Sequence, residues 1–246
     1  MDQKRIFSIS SEENFEALAL EVFHFQFQNN PVYRKFCQLL KVSPEEVTDI
    51  SKIPFLPIEF FKSKKVVSGN TPVETIFTSS GTTGSITSKH YVTDLSLYEE
   101  SFSLGFRSFY GNIEDYAVLA LLPSYLERQG SSLIYMANNF IGKSPFPESG
   151  FYLNDLEKLK TTIESLEEKG QKTLLLGVSF GLLDLVEKYQ FQLQNTIVME
   201  TGGMKGRRRE MIREELHQIL KMGFGINNIH SEYGMTELLS QAYSTG

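Results

Sequence analysis

The chain has 246 residues, of which 41% are hydrophobic and 22% charged, and its formal net charge at pH 7 is −6. This composition is typical of a globular protein with one sizeable core, and the acidic balance argues against nucleic acid or an anionic membrane as the main partner, because both require a basic surface. The first eleven residues contain no hydrophobic signal core. Cys37 is the single cysteine, so no internal disulfide can form, and we expect a cytoplasmic protein. The sequence leaves its oligomeric state open.

The first 50 residues predict a helical segment. Ser10 or Ser11 precedes two acidic residues and then apolar residues at helical spacing, which is typical of the start of a helix. A second helix is predicted at residues 31–40 and a short third one at 43–46. Cys37 lies among the apolar residues of the second helix, so we interpret it as a small core residue.

Strands and helices alternate in the rest of the chain. An extended segment with two prolines at residues 54–62 comes first, and it cannot form a regular helix. The apolar patterns predict strands at 72–77, 116–122, 173–178, 196–200 and 228–230, and helices at 95–106, 133–140, 153–169, 182–189 and 207–221. Uniformly apolar strands that alternate with helices predict an α/β fold with a mainly parallel β-sheet covered by helices. We therefore predict a helical segment at 1–50 and an α/β core at 51–246.

A cluster of hydroxyl and glycine residues directly follows the first predicted strand. Glycine amides with hydroxyl donors between them can wrap an anion such as the phosphates of a nucleotide, although the same residues are also ordinary in turns. The spacing matches neither the P-loop nor the dinucleotide-binding pattern. The residues of this Ser/Thr/Gly loop are Ser79, Ser80, Gly81, Thr82, Thr83 and Gly84.

Three further clusters follow predicted strands in the second half of the chain. Ligands of parallel α/β sheets bind at the carboxyl ends of the strands, so we expect these clusters to line one crevice together with the Ser/Thr/Gly loop. The clusters are residues 177–179, 201–203 and 231–237.

The order of these motifs resembles a known superfamily. Thr78-Ser79-Ser80-Gly81-Thr82-Thr83-Gly84, then Gly202-Gly203, then Tyr233-Gly234-Met235-Thr236-Glu237 is similar to the pattern of adenylate-forming enzymes, which include acyl-CoA synthetases, luciferases and adenylation domains. The narrower resemblance is to LuxE-type acyl-protein synthetases. It is supported by Pro54-Phe55-Leu56-Pro57 and Phe61-Lys62 upstream of the loop, and it covers residue 50 to the end of the chain.

The resemblance implies an ATP-dependent ligase that converts a fatty or other carboxylic acid to an acyl-adenylate, for transfer to a thiol of a protein or of CoA. It implies that Ser79 to Gly84 hold the β- and γ-phosphates of ATP, with Lys89 as a further candidate contact. Thr236 would contact the α-phosphate, and Glu237 would hold Mg²⁺, for which a carboxylate is a usual ligand. Gly202, Gly203, Tyr233 and Gly234 would bracket the adenine. Gly177 and Ser179 would border the acyl pocket.

The sequence departs from the superfamily pattern at two places. The superfamily places a proline and then a lysine soon after the second glycine of the loop, whereas here Ser88 precedes Lys89 at a longer interval. The superfamily also has a C-terminal lobe with a catalytic lysine beyond the Thr-Glu motif, and Glu237 lies nine residues from the end of this chain. We therefore expect an adenylation core that is truncated before that lobe and shows little activation by itself.

Two other functions stay open from the sequence. Gly177-Val178-Ser179-Phe180-Gly181 fits the G-x-S-x-G nucleophile elbow of serine hydrolases or acyltransferases, with Ser179 as nucleophile. The base would be His230 or His217, and an acid such as Glu200 would orient it. The second alternative is a nucleotide-binding module that keeps the loop without catalysis. The four histidines show no spacing with cysteine that would indicate a metal site.

Overall fold

A computed structural model describes residues 2–79, 86–122, 130–153, 155–204 and 208–246. By their contacts, the residues form two compact units. Unit 1 comprises Met1–Ser101 and Thr236–Leu239, and unit 2 comprises Phe102–Met235 and Ser240–Gly246. The division predicted at residue 50 falls inside unit 1 and stays a prediction.

Unit 1 begins with two helices that share one capping residue. After a 3-10 helix at Gln3–Ser8, α1 (Glu12–Asn29) starts at the predicted N-cap Ser11, and α2 (Pro31–Leu39) follows almost at once. Asn30 ends α1 and caps α2, because its Oδ1 accepts hydrogen bonds from the Val32 and Tyr33 amides at 3.1 Å each. Such a cap satisfies amides that have no partner inside the helix. The predicted third helix is a 3-10 turn at Pro44–Glu46, followed by another at Ile50–Lys52.

The core of unit 1 forms between these helices and the segment that follows them. Phe23, Tyr33, Cys37 and Val47 are buried together, so Cys37 is the core residue that the sequence predicts. The Phe23 and Tyr33 rings meet edge to face with centroids 6.2 Å apart. The Tyr33 hydroxyl donates to the Pro54 carbonyl oxygen at 2.8 Å, which attaches the extended segment to α2. Each large apolar side chain buried in this way contributes about 1.5–3 kcal/mol to folding.

The Ser/Thr/Gly loop connects two antiparallel strands. β1 (Thr75–Thr78) pairs with β2 (Lys89–Val92), with Thr78 opposite Lys89. A single helical turn, α3 (Phe60–Ser63), precedes them inside the segment expected to be extended, and α4 (Leu95–Tyr110) follows them. The predicted strand therefore belongs to a hairpin. Antiparallel strands can be joined by a short loop, whereas parallel ones need a crossover.

Unit 2 is built around a six-stranded sheet. Its strands are β3 (Ala117–Leu121), β4 (Gly150–Phe151), β5 (Thr173–Val178), β6 (Thr196–Thr201), β7 (His230–Met235) and β8 (Ser240–Ser244). The order is β4-β3-β5-β6-β7-β8, with parallel neighbours except for the antiparallel pair β7 and β8. The mostly parallel α/β sheet predicted from the apolar strands is confirmed. All residues of β3 and β5 are buried, as expected for strands covered on both faces.

The helices of unit 2 alternate along the chain with its parallel strands. They are a 3-10 helix at Ile113–Asp115 and the helices α5 (Ser132–Lys143), α6 (Leu156–Glu168), α7 (Ser179–Lys188) and α8 (Arg213–Phe224). Gly170 has the positive φ of +64° that its predicted place after a helix end requires. Among the described residues, no helix is both long enough and apolar enough to cross a membrane.

Two predictions for this half of the chain were wrong in extent. The helix predicted at 207–221 runs from Arg213 to Phe224. Arg208, predicted to lie in its first turn, precedes it, and its guanidinium is held by Asp184 and Glu187 of α7. The strand predicted at 228–230 starts at His230 and continues to Met235. Residues 231–235 therefore lie within a strand and not beyond its end, because pairing with the unpredicted β8 extends it.

Candidate functional site

The base of the Ser/Thr/Gly loop is closed by two hydrogen bonds. The Ser79 amide donates to the Ser88 carbonyl oxygen at 3.1 Å, and the Ser88 amide donates to Ser79 Oγ at 2.9 Å. Lys89 is exposed at the start of β2. The other predicted phosphate contacts, Ser80 to Gly84, lie outside the described residues, so their role stays a prediction.

A turn of the Tyr-Gly-Met-Thr-Glu motif contacts the strand that follows this loop. Within unit 1, His90 of β2 lies with Nδ1 2.9 Å from the Thr236 carbonyl oxygen, and its ring meets Phe61 at 5.4 Å between centroids. A carbonyl oxygen only accepts, so Nδ1 carries the proton. Burial lowers the pKa of His90, against the opposing effects of the Thr236 carbonyl and the Glu237 carboxyl. A neutral His90 therefore holds the turn that carries Thr236 and Glu237.

The described residues can supply one carboxylate to a metal at this turn. No group of three or more His, Cys, Asp or Glu side chains within the described ranges could hold a metal ion together. Glu237 is half-buried in the turn. Mg²⁺ is usually held by one or two carboxylates together with substrate phosphates and water, so a single Glu237 fits a magnesium ion that arrives with a nucleotide.

Ser179 of the G-x-S-x-G sequence lies inside unit 2, in contact with a carboxyl group. The residue opens α7 directly after β5 and is 1% exposed. Its Oγ donates to Glu200 Oε2 at 3.1 Å and lies 3.3 Å from the Gly202 carbonyl oxygen. On the other side of Glu200, Oε1 lies 3.6 Å from His217 Nε2 and 3.7 Å from Arg213 Nη2. Burial, together with Arg213 and Lys221, lowers the pKa of His217.

This geometry argues against the serine hydrolase alternative. A catalytic serine contacts its histidine, and the histidine contacts the acid, whereas here the acid lies between serine and histidine. A nucleophile elbow also exposes its serine on a strained turn, but Ser179 is buried and is not among the residues with positive φ. The other predicted base, His230, lies with Nδ1 3.1 Å from the Tyr110 hydroxyl. The predicted triad is therefore not assembled.

Gly177 and Ser179 were predicted to border a substrate pocket, and both are buried. A Cβ atom at Gly177 would lie 2.6 Å from Leu182 Cδ2, so the absence of a side chain there lets α7 pack closely on β5. The proposed pocket role of the two residues stays a prediction. So does the adenine-binding role of Gly202, Gly203, Tyr233 and Gly234, although Gly202 and Tyr233 are exposed as such a role requires.

Sequence analysis missed a buried acid next to the Tyr-Gly motif. Glu232 of β7 is 5% exposed, and its Oε2 accepts a hydrogen bond of 2.5 Å from Thr201, its partner in the β6–β7 register. Its Oε1 has no hydrogen-bond partner among the described residues. Burial raises the pKa of Glu232 to about 7, and Glu200 acts in the same direction against the Thr201 hydrogen bond. Glu232 lies inside the cluster 231–237 noted in the sequence, but nothing in its neighbours His230, Ser231 and Tyr233 indicated that it would be buried.

Known proteins resemble the first part of this chain. Residues 4–106 match the family described as "Acyl-protein synthetase, LuxE". A long-chain-fatty-acid–luciferin-component ligase of Vibrio harveyi is 41% identical over 63 residues, which cover 25% of this chain and 16% of that protein. A ligase of the same description from Photorhabdus luminescens is 37% identical over 68 residues, which cover 27% of this chain and 58% of that protein.

The matched part includes the Ser/Thr/Gly loop, both strands of its hairpin and the helices of unit 1. The segments aligned with the two relatives each span less than two thirds of the relative's own length. The Tyr-Gly-Met-Thr-Glu motif lies beyond it. Over residues 4–106, the chain is similar to LuxE-type acyl-protein synthetases.

Proposed function

We propose that the protein takes part in the ATP-dependent activation of a fatty or related carboxylic acid. In this reaction, a carboxylate oxygen attacks the α-phosphorus of ATP, the bond from that phosphorus to the bridging oxygen breaks, and pyrophosphate leaves. The acyl-adenylate then passes its acyl group to a thiol of a protein or of CoA. The names of the relatives support a ligase of long-chain fatty acids, and the motif order supports the adenylate.

The observation that carries this proposal is the contact between His90 and the Thr236 carbonyl oxygen. It brings the motif turn, with Thr236 and Glu237, against the strand that leads out of the Ser/Thr/Gly loop. From sequence, only their order along the chain relates the Ser/Thr/Gly loop and the Tyr-Gly-Met-Thr-Glu motif to one nucleotide. In the proposal, the loop amides and hydroxyls bind the phosphates, and Glu237 binds the magnesium that accompanies them.

The role of the chain is chiefly to position two anions and to reduce the repulsion between them. Thr236 and the loop hold the phosphates in place, and the neutral His90 fixes the turn without adding a charge. Positioning of this kind turns a bimolecular reaction into an effectively unimolecular one. Charge that develops on the leaving pyrophosphate is stabilised by fixed donors and by magnesium bound to Glu237.

Calorimetric titration of the 246-residue chain with ATP, with and without Mg²⁺, tests the nucleotide site. We expect magnesium-dependent binding that Glu237→Gln weakens at least about tenfold, because the variant loses a metal ligand. Glu16→Gln removes the same charge from the exposed face of α1 and serves as the control. Absence of magnesium-dependent binding, or equal binding by the Glu237→Gln protein, would contradict the proposal.

A stable mimic of the acyl-adenylate tests the assignment to acyl activation. A tetradecanoyl sulfamate of adenosine carries both halves of the proposed intermediate, so we expect it to bind at least about a hundredfold more tightly than ATP. Adenosine sulfamate without the acyl chain is the matched control. Equal affinities for the two compounds would indicate a nucleotide-binding module that does not bind an acyl-adenylate.

A further inference from the structure

Unit 1 contains an open apolar cleft of about 890 Å³. Its walls are α1, the 3-10 helix Gln3–Ser8, the segment 53–69 and β2 with the residues that follow it. The Gly69 amide donates to the Asn29 carbonyl oxygen at 2.8 Å, and Ser68 Oγ donates to Gln26 Oε1, so the segment is fastened to the end of α1. The cleft has the size of small-molecule sites, which are about 300–1,000 Å³.

Large apolar side chains line this cleft without being covered. Phe15 of α1 is 51% exposed, and Ile6 and Ile9 are 37% and 38% exposed. Phe55, in the segment 53–69, is 75% exposed. Exposed apolar surface concentrated in one concave region marks a binding site more often than scattered single residues do. These side chains belong to the cleft and not to the core of unit 1, which is formed by Phe23, Tyr33, Cys37 and Val47.

The charges around the cleft restrict what can occupy it. Its described lining includes Asp94, Glu237 and the half-buried His90, but no lysine or arginine. Neither a phosphate nor a carboxylate would find a cationic side chain among these lining residues, so the walls suit the uncharged part of a ligand. A long uncharged chain suits such a lining, because the apolar walls need no polar partner from it.

One end of the cleft coincides with the proposed activation site. His90 and Glu237 both belong to the lining, and His90 holds the turn that carries Glu237. His90 also follows Lys89, where the chain leaves the Ser/Thr/Gly loop. An acid whose chain lies in the cleft can therefore present its carboxyl group to a magnesium ion held by Glu237.

We infer that this cleft holds the hydrocarbon chain of a fatty acid, with the carboxyl group at the end next to Glu237, where a magnesium ion bound to that residue would balance its charge. The inference rests on the proposed function for the identity of the ligand, and it assigns the acyl pocket to unit 1 instead of to Gly177 and Ser179. Nearly all lining residues belong to residues 4–106, the part that is similar to acyl-protein synthetases.

The first test measures how binding depends on chain length. Saturated acids with 8, 10, 12 and 14 carbons would displace a fluorescent fatty acid, cis-parinaric acid, from the 246-residue chain in the absence of ATP. Each methylene that enters an apolar site is expected to tighten binding about fourfold until the cleft is filled. Equal affinity along the series, or displacement of the probe by an amphipathic peptide but not by the acids, would overturn the inference.

The second test uses one substitution at two positions of α1. Ala19 lines the cleft, whereas Ala17, two residues earlier, is exposed and does not line it. Ala19→Phe fills part of the cleft, so we expect it to weaken binding of the 14-carbon acid at least about tenfold and that of the 8-carbon acid much less. Ala17→Phe adds the same ring to the outer surface and should leave the whole series unchanged. Identical series for the two variants would overturn the assignment.

The result can be separated from that of the proposed function. Fatty-acid binding that depends on chain length and on Ala19, without magnesium-dependent ATP binding, would support the cleft and contradict acyl activation. ATP binding that Glu237→Gln weakens, together with acid binding insensitive to Ala19→Phe, would contradict the cleft alone. Thermal unfolding checks each variant, and Val22→Phe, at another lining residue of α1, replaces Ala19→Phe if that protein does not fold.

Discussion

The two units differ in how deeply they bury the side chains that could bind a ligand or react with it. At the strand ends of unit 2, Ser179, Glu200 and Glu232 are at least 94% buried, and their polar atoms contact one another or neighbouring strands. In unit 1, the cleft leaves side chains such as Phe15 and Phe55 open. These hydroxyl and carboxyl side chains of unit 2 are thus enclosed, while unit 1 contains space for a ligand. Reactive residue types alone are a poor guide to where a ligand binds.

The strongest test of enclosure in unit 2 is the response of Glu232 to pH. Its folded pKa of about 7 exceeds the ordinary value of 4.5, so between these values the folded state binds more protons than the unfolded state. Stability therefore falls as the pH rises through this window, by about 3 kcal/mol when the change is complete. Glu232→Gln cannot ionise and should lose no stability in this way.

Urea unfolding of both proteins at pH 4.5 and pH 8 measures this effect. The unfolding free energy of Glu232→Gln, relative to that of the wild type, should be higher at pH 8 than at pH 4.5. The comparison is needed because burial lowers the pKa values of His90, His217 and His230, which makes stability rise with pH over part of the same range. Those contributions cancel between the two proteins. An equal difference at both pH values would mean that water reaches Glu232.

The packing of unit 2 predicts the next largest effect. A Cβ atom at Gly223 of α8 would lie 2.4 Å from Val186 Cβ of α7, so Gly223→Ala should destabilise the protein by about 2 kcal/mol. A Cβ atom added at Gly142 of α5 would have no neighbour within 4 Å. Gly142→Ala should therefore stabilise the protein by about 0.5–1 kcal/mol. Thermal unfolding gives both values. If Gly142→Ala also lost stability, the effect of Gly223→Ala could not be assigned to its contact with Val186.

The cost of adding carbon atoms therefore depends on whether the position faces a packed interface or open space. One methyl group at Gly223 is expected to destabilise unit 2, whereas a whole phenyl ring at Ala19 should be accepted in the cleft of unit 1.

A smaller loss of stability than that of Gly223→Ala is expected from Ser179→Ala. The variant removes the hydroxyl donor of Glu200 Oε2 and should cost about 1–2 kcal/mol, because a buried acceptor loses its partner. Ser108→Ala, on the exposed surface of α4, should change stability by less than about 0.5 kcal/mol. A fluorophosphonate probe should not label the wild-type protein at Ser179. Labelling that disappears in Ser179→Ala would revive the hydrolase alternative.

The sequence predicted the elements whose signals are local. The apolar run marked β5 at its observed bounds. Ser11 as N-cap and Pro31 as first helical residue marked the starts of the first two helices, because these signals depend on neighbouring residues. It failed where a partner distant in sequence decides the structure. Arg208 is held by α7, and β7 continues to Met235 because β8 pairs with it.

The candidate site was predicted only in part, because contacts between residues distant in sequence form it. The Ser/Thr/Gly loop and the Thr-Glu turn are recognisable as motifs, but their connection through His90 depends on a contact across 146 positions of the chain. The cleft has no motif, since its apolar residues have the same types as core residues. Glu232 could not be distinguished from a surface acid, because its burial depends on Thr201 and on the sheet register.

Gly234 of the Tyr-Gly motif has a consequence for how sequences of this kind vary. A Cβ atom at this position would lie 2.9 Å from Glu232 Oε1 and 3.1 Å from Gln241 Nε2, so the glycine provides the space that the buried carboxyl group occupies. Positions 232 and 234 therefore constrain each other whether or not a nucleotide binds nearby. Related sequences with a larger residue at 234 should carry a shorter side chain at 232, and covariation of these two positions would record internal fit instead of ligand recognition.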